Sequence, residues 1–172
     1  MTPEIDILVT SDDWDSVDDL DPLTRRCITA SIAESGVRLQ DHCEISVTFC
    51  ADAEIRDLNA QWRGNKAATN VLSFPTPGEA AAKPLLGDIV IAYETVAREA
   101  QEQDKTLQEH VTHMIMHGFL HLIGYDHESA DEAEEMETLE RRIASSLGLR
   151  DPYALAGDIA AEQTGKAHVD TI

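Results

Sequence analysis

From Val111 to Ile123 the chain is apolar nearly all the way round a helical wheel, with Met114, Ile115, Met116, Phe119, Leu120, Leu122 and Ile123. A helix of that kind is buried, and a buried helix must account for its polar groups. Yet His110, His113, His117 and His121 fall within roughly 80° of one another on the same wheel. Imidazoles buried without partners are costly, so each needs a metal ion or a hydrogen-bond partner.

Spacing sorts these histidines. His117 and His121 stand one turn apart on one face and can reach a single ion. Gly124 then lets the backbone turn, and the short return Tyr125-Asp126 brings His127 towards the same point. Three ligands with an open fourth position is the layout of a catalytic zinc centre, whereas a structural centre is usually closed by a fourth side chain. The expected cofactor is one Zn2+ ion held by His117, His121 and His127. His110 and His113 read as satisfied core histidines, and His42 and His168 as surface residues. The spacing overlaps the long zinc-protease pattern His-Glu-x-x-His-x-x-Gly-x-x-His, with one decisive difference. The glutamate that serves there as general base is here Gly118, which can transfer no proton.

A length of 172 residues suits one domain. Residues 5–9, 45–49, 70–74 and 88–92 read as strands. Helices are expected over residues 22–34, 52–61 with Asp52 as its cap, 93–103, 106–123 and 131–147. The acidic run from Asp12 to Asp19 reads as solvated surface, and residues 75–84 as a flexible loop. On the last helix Met136, Leu139, Ile143 and Leu147 form an apolar stripe, with the glutamates facing water. This gives a compact α+β domain over residues 1–150, with a small mixed sheet of about four strands packed with about five helices, and a weakly structured tail over 151–172.

Lys plus Arg number 13 against 33 Asp plus Glu, a net charge of −20, so any attraction for nucleic acid must be local to one cleft. Three cysteines, never as Cys-x-x-Cys, indicate buried reduced thiols rather than a disulfide framework or a zinc ribbon. No apolar run approaches the roughly 20 residues a bilayer helix needs, and the first residues do not look like a secretory signal. The expected location is the cytoplasm, with no membrane partner.

Three blocks carry a family resemblance: Leu58-Asn59 with Arg63-Gly64; Thr69-Asn70-Val71-Leu72-Ser73-Phe74-Pro75; and Gly87-Asp88-Ile89 followed by the histidine block. Over residues 40–130 the chain resembles the YbeY endoribonucleases, bacterial ribosomal RNA maturation factors. The resemblance implies a compact α+β fold with a zincin-like metal helix, and zinc on the three histidines. It further implies cleavage of single-stranded RNA in small-subunit ribosomal RNA maturation and ribosome quality control. The implied partners are the small ribosomal subunit, its proteins and a ribosome-associated GTPase. Asn70 stands where aspartate also occurs in the family.

Catalysis at phosphorus needs a cation aimed at the oxygens where charge grows. By itself Arg63 reads as an exposed side chain beside a Gly-Asn turn, and the resemblance is what implies that it is this cation. Lys66 is a weaker candidate for backbone contact, Trp62 and Phe74 are expected in the core, and Asp126 either orients a histidine or caps the turn. Two alternatives remain: a peptidase using the same cage, and a zinc-stabilised ribosome-binding factor with little nuclease activity.

Overall fold

The computed structural model describes residues 3–154. Strand β1 (Glu4–Val9) leads through a short 3-10 turn, Asp12–Ser16, into helix α1 (Leu20–Ser35). Then come β2 (Glu44–Cys50), α2 (Asp52–Arg63), β3 (Val71–Pro75), β4 (Leu85–Ala92), α3 (Tyr93–Glu102), α4 (Leu107–Leu122) and α5 (Ala130–Ser146). The strands form one sheet in the order β1-β2-β4-β3, with β1, β2 and β4 parallel and β3 antiparallel at the edge. The four strands and five helices are those expected, with ends shifted by a few residues. Among the described residues no helix is long and apolar enough to cross a membrane.

Alternation along the strands sorts side chains onto two faces. Ile45, Val47 and Phe49 of β2, Val71 of β3 and Ile89 and Ile91 of β4 join the larger core, into which α1, α4 and α5 send Cys27, Ile28, Ile115, Phe119, Met136 and Ile143. Leu72, Val90 and Ala92 point the other way and meet Ile55 of α2. The sheet therefore lies between α2 and α4. Twelve of the sixteen residues of α4 are buried, as its all-round apolarity requires. A capping box at Thr106 and Glu109 starts the helix.

Several local expectations change in the structure. The acidic run is more than solvated surface, because Trp14 within it is buried, donates Nε1–H to the Cys50 carbonyl at 2.8 Å, and packs edge-on against Phe49 and Tyr93. Ala51, not Asp52, is the cap residue of α2. The Asp52 carboxylate instead accepts from the amide and hydroxyl of Thr95 at the start of α3, and Glu94 accepts from the Asp52 amide at 2.8 Å. These two helices leave neighbouring parallel strands side by side and cap each other, an arrangement that local sequence does not reveal. The three cysteines are buried and unpaired. Burial pushes the thiols of Cys27 and Cys50 up to about 12, which leaves them unreactive.

Candidate metal centre and active site

The last two turns of α4 carry His117 and His121, and the loop that follows carries His127. Gly124, at φ 108°, makes the bend. The Tyr125 peptide is pinned to the helix in both directions: its amide donates to the Leu120 carbonyl at 3.0 Å, and its carbonyl accepts from His121 Nδ1 at 2.9 Å. Asp126 braces the next peptide by accepting the His127 amide at 2.7 Å. The result brings the three rings together, with centroids 4.7 to 5.7 Å apart. One nitrogen from each lies within 4.8 Å of the others, so the trio could hold a metal ion. Among the described residues no fourth His, Cys, Asp or Glu joins this group.

The hydrogen bonds around the two helical rings leave room for a cation. His121 Nδ1 faces a carbonyl and His117 Nδ1 faces the Glu140 carboxylate at 2.8 Å, and neither oxygen has a proton to give. Both rings must therefore donate from Nδ1. Their Nε2 lone pairs then confront each other at 3.0 Å, which is repulsive unless a positive ion stands between them. Burial, with the neighbouring His117 and His127, holds His121 down to about 4, so at neutral pH its lone pair is available.

Behind the centre lies a buried polar layer. Glu140 Oε2 also accepts from His113 Nε2 at 2.9 Å, and Tyr153 donates its hydroxyl to Oε1. Glu140 is thus an exception to the outward-facing glutamates expected on α5. The signal was present, since Glu140 falls between Met136, Leu139 and Ile143 on the apolar stripe. Burial alone would raise its carboxyl, but the charges and hydrogen bonds of His113 and His117 hold it well below the usual carboxylate range. A second chain of contacts runs from His110 Nε2 to Glu99 at 2.9 Å, with Asn70 Nδ2 donating to the same carboxylate at 3.0 Å. An aspartate at position 70 would set a second carboxylate against Glu99 in place of that donor. His110 and His113 are core residues as expected, each with an acidic partner on Nε2, but they are satisfied only on that side, since the buried Nδ1 of each has no hydrogen-bond partner among the described residues.

His113 is likewise held down to about 4, chiefly by burial and against the pull of Glu140. Histidines in the unfolded chain titrate near 6.5, so below that pH the unfolded state binds more protons than the folded one. The stability linked to neutral His113 and His121 is complete above about pH 6.5 and is lost as pH falls towards about 4. Melting of the metal-free protein should show Tm falling across that window. A Tm independent of pH there would contradict the neutral assignment.

In front of the centre is a cleft of about 510 Å³, lined by His121, His127, Gly124 to Glu128, Val71 to Ser73, Pro75 and Arg63. Arg63 arrives from the last turn of α2, on the opposite face of the sheet, and bends round the edge strand. Its Nη2 donates to the Ser73 carbonyl at 2.6 Å and its guanidinium lies over the Phe74 ring, 5.2 Å from the centroid. The structure therefore brings Arg63, His121 and His127 to one cleft, with His117 buried behind them. Lys66 is exposed on the loop beyond α2 and does not line it. Trp62, expected in the core, is 64% exposed, because the helix face that meets the sheet is used by Ile55 and Leu58. Phe74 is half-buried beneath Arg63. His42 is exposed beside Glu4, and His168 lies outside the described residues.

The family model described as Endoribonuclease YbeY matches residues 9–148. The chain belongs to that family. An Endoribonuclease YbeY from Methylocella silvestris is 54% identical over 153 residues, covering 89% of this chain and 87% of the relative. One from Sinorhizobium fredii is 48% identical over 159 residues, covering 87% and 91%. The solution structure of TM1509 from Thermotoga maritima matches with a TM-score of 0.54 at 26% identity, over 84% of this chain and 91% of that one. Family membership and the converging histidines together support a nucleic-acid hydrolase.

Proposed function

We propose that the chain is a zinc-dependent endoribonuclease that cuts single-stranded RNA, with His117, His121 and His127 as ligands and Arg63 as the catalytic cation. Its place, on the family resemblance, is small-subunit ribosomal RNA maturation and ribosome quality control in the cytoplasm. Its partners there are the small subunit, its proteins and a ribosome-associated GTPase. The observation that carries the metal is the pair of Nε2 lone pairs facing each other at 3.0 Å. When bound, a divalent ion there supplies Lewis acidity to a water or a phosphoryl oxygen.

The chain's own residues do the rest. Neutral imidazoles leave the ion its full charge, and Arg63 adds a second positive group on the same cleft. Held by one bond to Ser73, its fork keeps donors for phosphate oxygens, which gives local attraction in a protein of net charge −20. The cleft also disfavours an extended peptide. The Asn70 carbonyl accepts from the Ala92 amide and the Thr76 amide donates to the Leu86 carbonyl, so the Ser73 carbonyl alternates outward to the free edge of β3, where Arg63 covers it. Asn70 Oδ1 takes the Val71 amide and Pro75 has none to give, which leaves the edge fewer donors for a partner strand.

Cleavage of a labelled single-stranded RNA by wild type and Arg63→Glu, with metal content and Tm measured alongside, tests this. The variant should keep its metal and fold while cleaving about a hundredfold more slowly, the usual loss when one charge-stabilising donor is removed. Equal trace cleavage by both proteins would mark a contaminating nuclease and return the chain to the ribosome-binding reading.

A further inference from the structure

Among the described residues only two acidic side chains are buried, Glu99 and Glu140, and Glu140 has no exposed surface at all. A carboxylate taken out of water costs several kcal/mol unless its oxygens are well satisfied, so this position calls for a reason. The reason lies in what its two oxygens touch. Oε2 sits 2.8 Å from His117 Nδ1 and 2.9 Å from His113 Nε2, while the Tyr153 hydroxyl donates to Oε1. Separations of 2.8 to 2.9 Å are those of hydrogen bonds, so this cluster of His113, His117 and Glu140 is a hydrogen-bonded network rather than a second ion cage.

A hydrogen bond on one ring nitrogen decides what the other can do. With Nδ1–H directed at Glu140, the His117 lone pair can only be on Nε2, the atom that faces His121 across 3.0 Å. A carboxylate behind an imidazole also makes its far nitrogen a stronger donor to a metal. His121 has merely a backbone carbonyl in that role.

We infer that Glu140 is the positioning residue of the metal centre. It holds His117 in the Nδ1–H form and presents Nε2 to a divalent cation, while His113 and Tyr153 hold Glu140. The inference rests on the metal reading proposed above but concerns a side chain outside the cleft that touches no substrate.

Zn2+ alone, titrated into the metal-free full-length protein against a chromophoric chelator, gives the affinity, and 15N shifts of the His117 ring give its tautomer. Glu140→Gln should bind zinc about ten- to hundredfold more weakly, with His117 divided between tautomers. Tyr153→Phe, which removes one hydroxyl and leaves the ring, should weaken binding in the same direction by a smaller factor. A folded Glu140→Gln with affinity within about twofold of wild type and an unchanged His117 tautomer would overturn the inference. Should Glu140→Gln fail to fold, Tyr153→Phe decides, and unchanged affinity there overturns it as well. The assay contains no RNA, so these results leave the nuclease reading standing, and a failure of RNA cleavage leaves this one standing. A wild-type protein that takes up no zinc is a different outcome, and it removes the metal reading beneath both.

Discussion

His121→Ala should lose its metal and, with it, RNA cleavage. Three imidazoles sharing about 12 kcal/mol of zinc binding supply about 4 kcal/mol each, so losing one weakens binding by roughly a thousandfold. The substitution also removes one of the two lone pairs that confront each other at 3.0 Å, together with an imidazole that burial keeps uncharged. What is lost in exchange is the bond to the Tyr125 carbonyl. The metal-free variant should therefore melt no lower than the metal-free wild type. Adding zinc should raise Tm in the wild type and leave the variant unmoved. Zinc-induced stabilisation of equal size in both proteins would remove His121 from the ligand set.

Gly118→Glu would restore the glutamate of the zinc-peptidase pattern, and it should unfold the protein rather than convert it. A side chain at Gly118 points into the sheet: its Cβ would stand 2.8 Å from Ile89 Cγ2 and 3.3 Å from both Ser73 Oγ and Val71 Cγ2. Ser73 already donates its hydroxyl to the Gly118 carbonyl at 3.0 Å, so helix and edge strand lie against each other here. Forcing in even a methyl group costs about 1–3 kcal/mol, and a carboxylate buried there without a partner adds several more. The sum is comparable with the whole stability of a domain. Chemical denaturation checks it, with Gly118→Ala as the milder companion. A soluble Gly118→Glu with a midpoint near wild type would mean that α4 can lift away from the sheet. The glycine thus has a packing role that its absent chemistry did not suggest.

Much of this was legible where the cause is local. The apolar run that fills α4 demands burial wherever the helix sits, and two histidines a turn apart point the same way in any helix. Gly124 signalled the return of His127 for an equally local reason, since a left-handed φ suits glycine. Other features depend on what sits opposite. Asp52 looks like a cap for its own helix and serves the neighbouring one, because β2 and β4 run side by side. Trp14 looks solvated among aspartates until Cys50 supplies a carbonyl for its indole. Trp62 looks like core until the sheet takes the other side of α2. Glu140 differs from these, because its place on an apolar stripe is visible in the sequence alone. The meeting of Arg63 with the histidines was legible only through the family resemblance, since it requires β3 to be an antiparallel edge strand round which a side chain can reach.

That detour round the edge has a consequence for a nascent or half-assembled chain. Arg63 is led to the histidine side by its bond to Ser73 on β3, so without the pairing of β3 with β4 its guanidinium has no such guide round the sheet. On the function proposed above, a chain without that pairing would lack the arginine beside its metal ligands. Assembly of the proposed catalytic pair is thereby tied to the pairing of an edge strand with its neighbour.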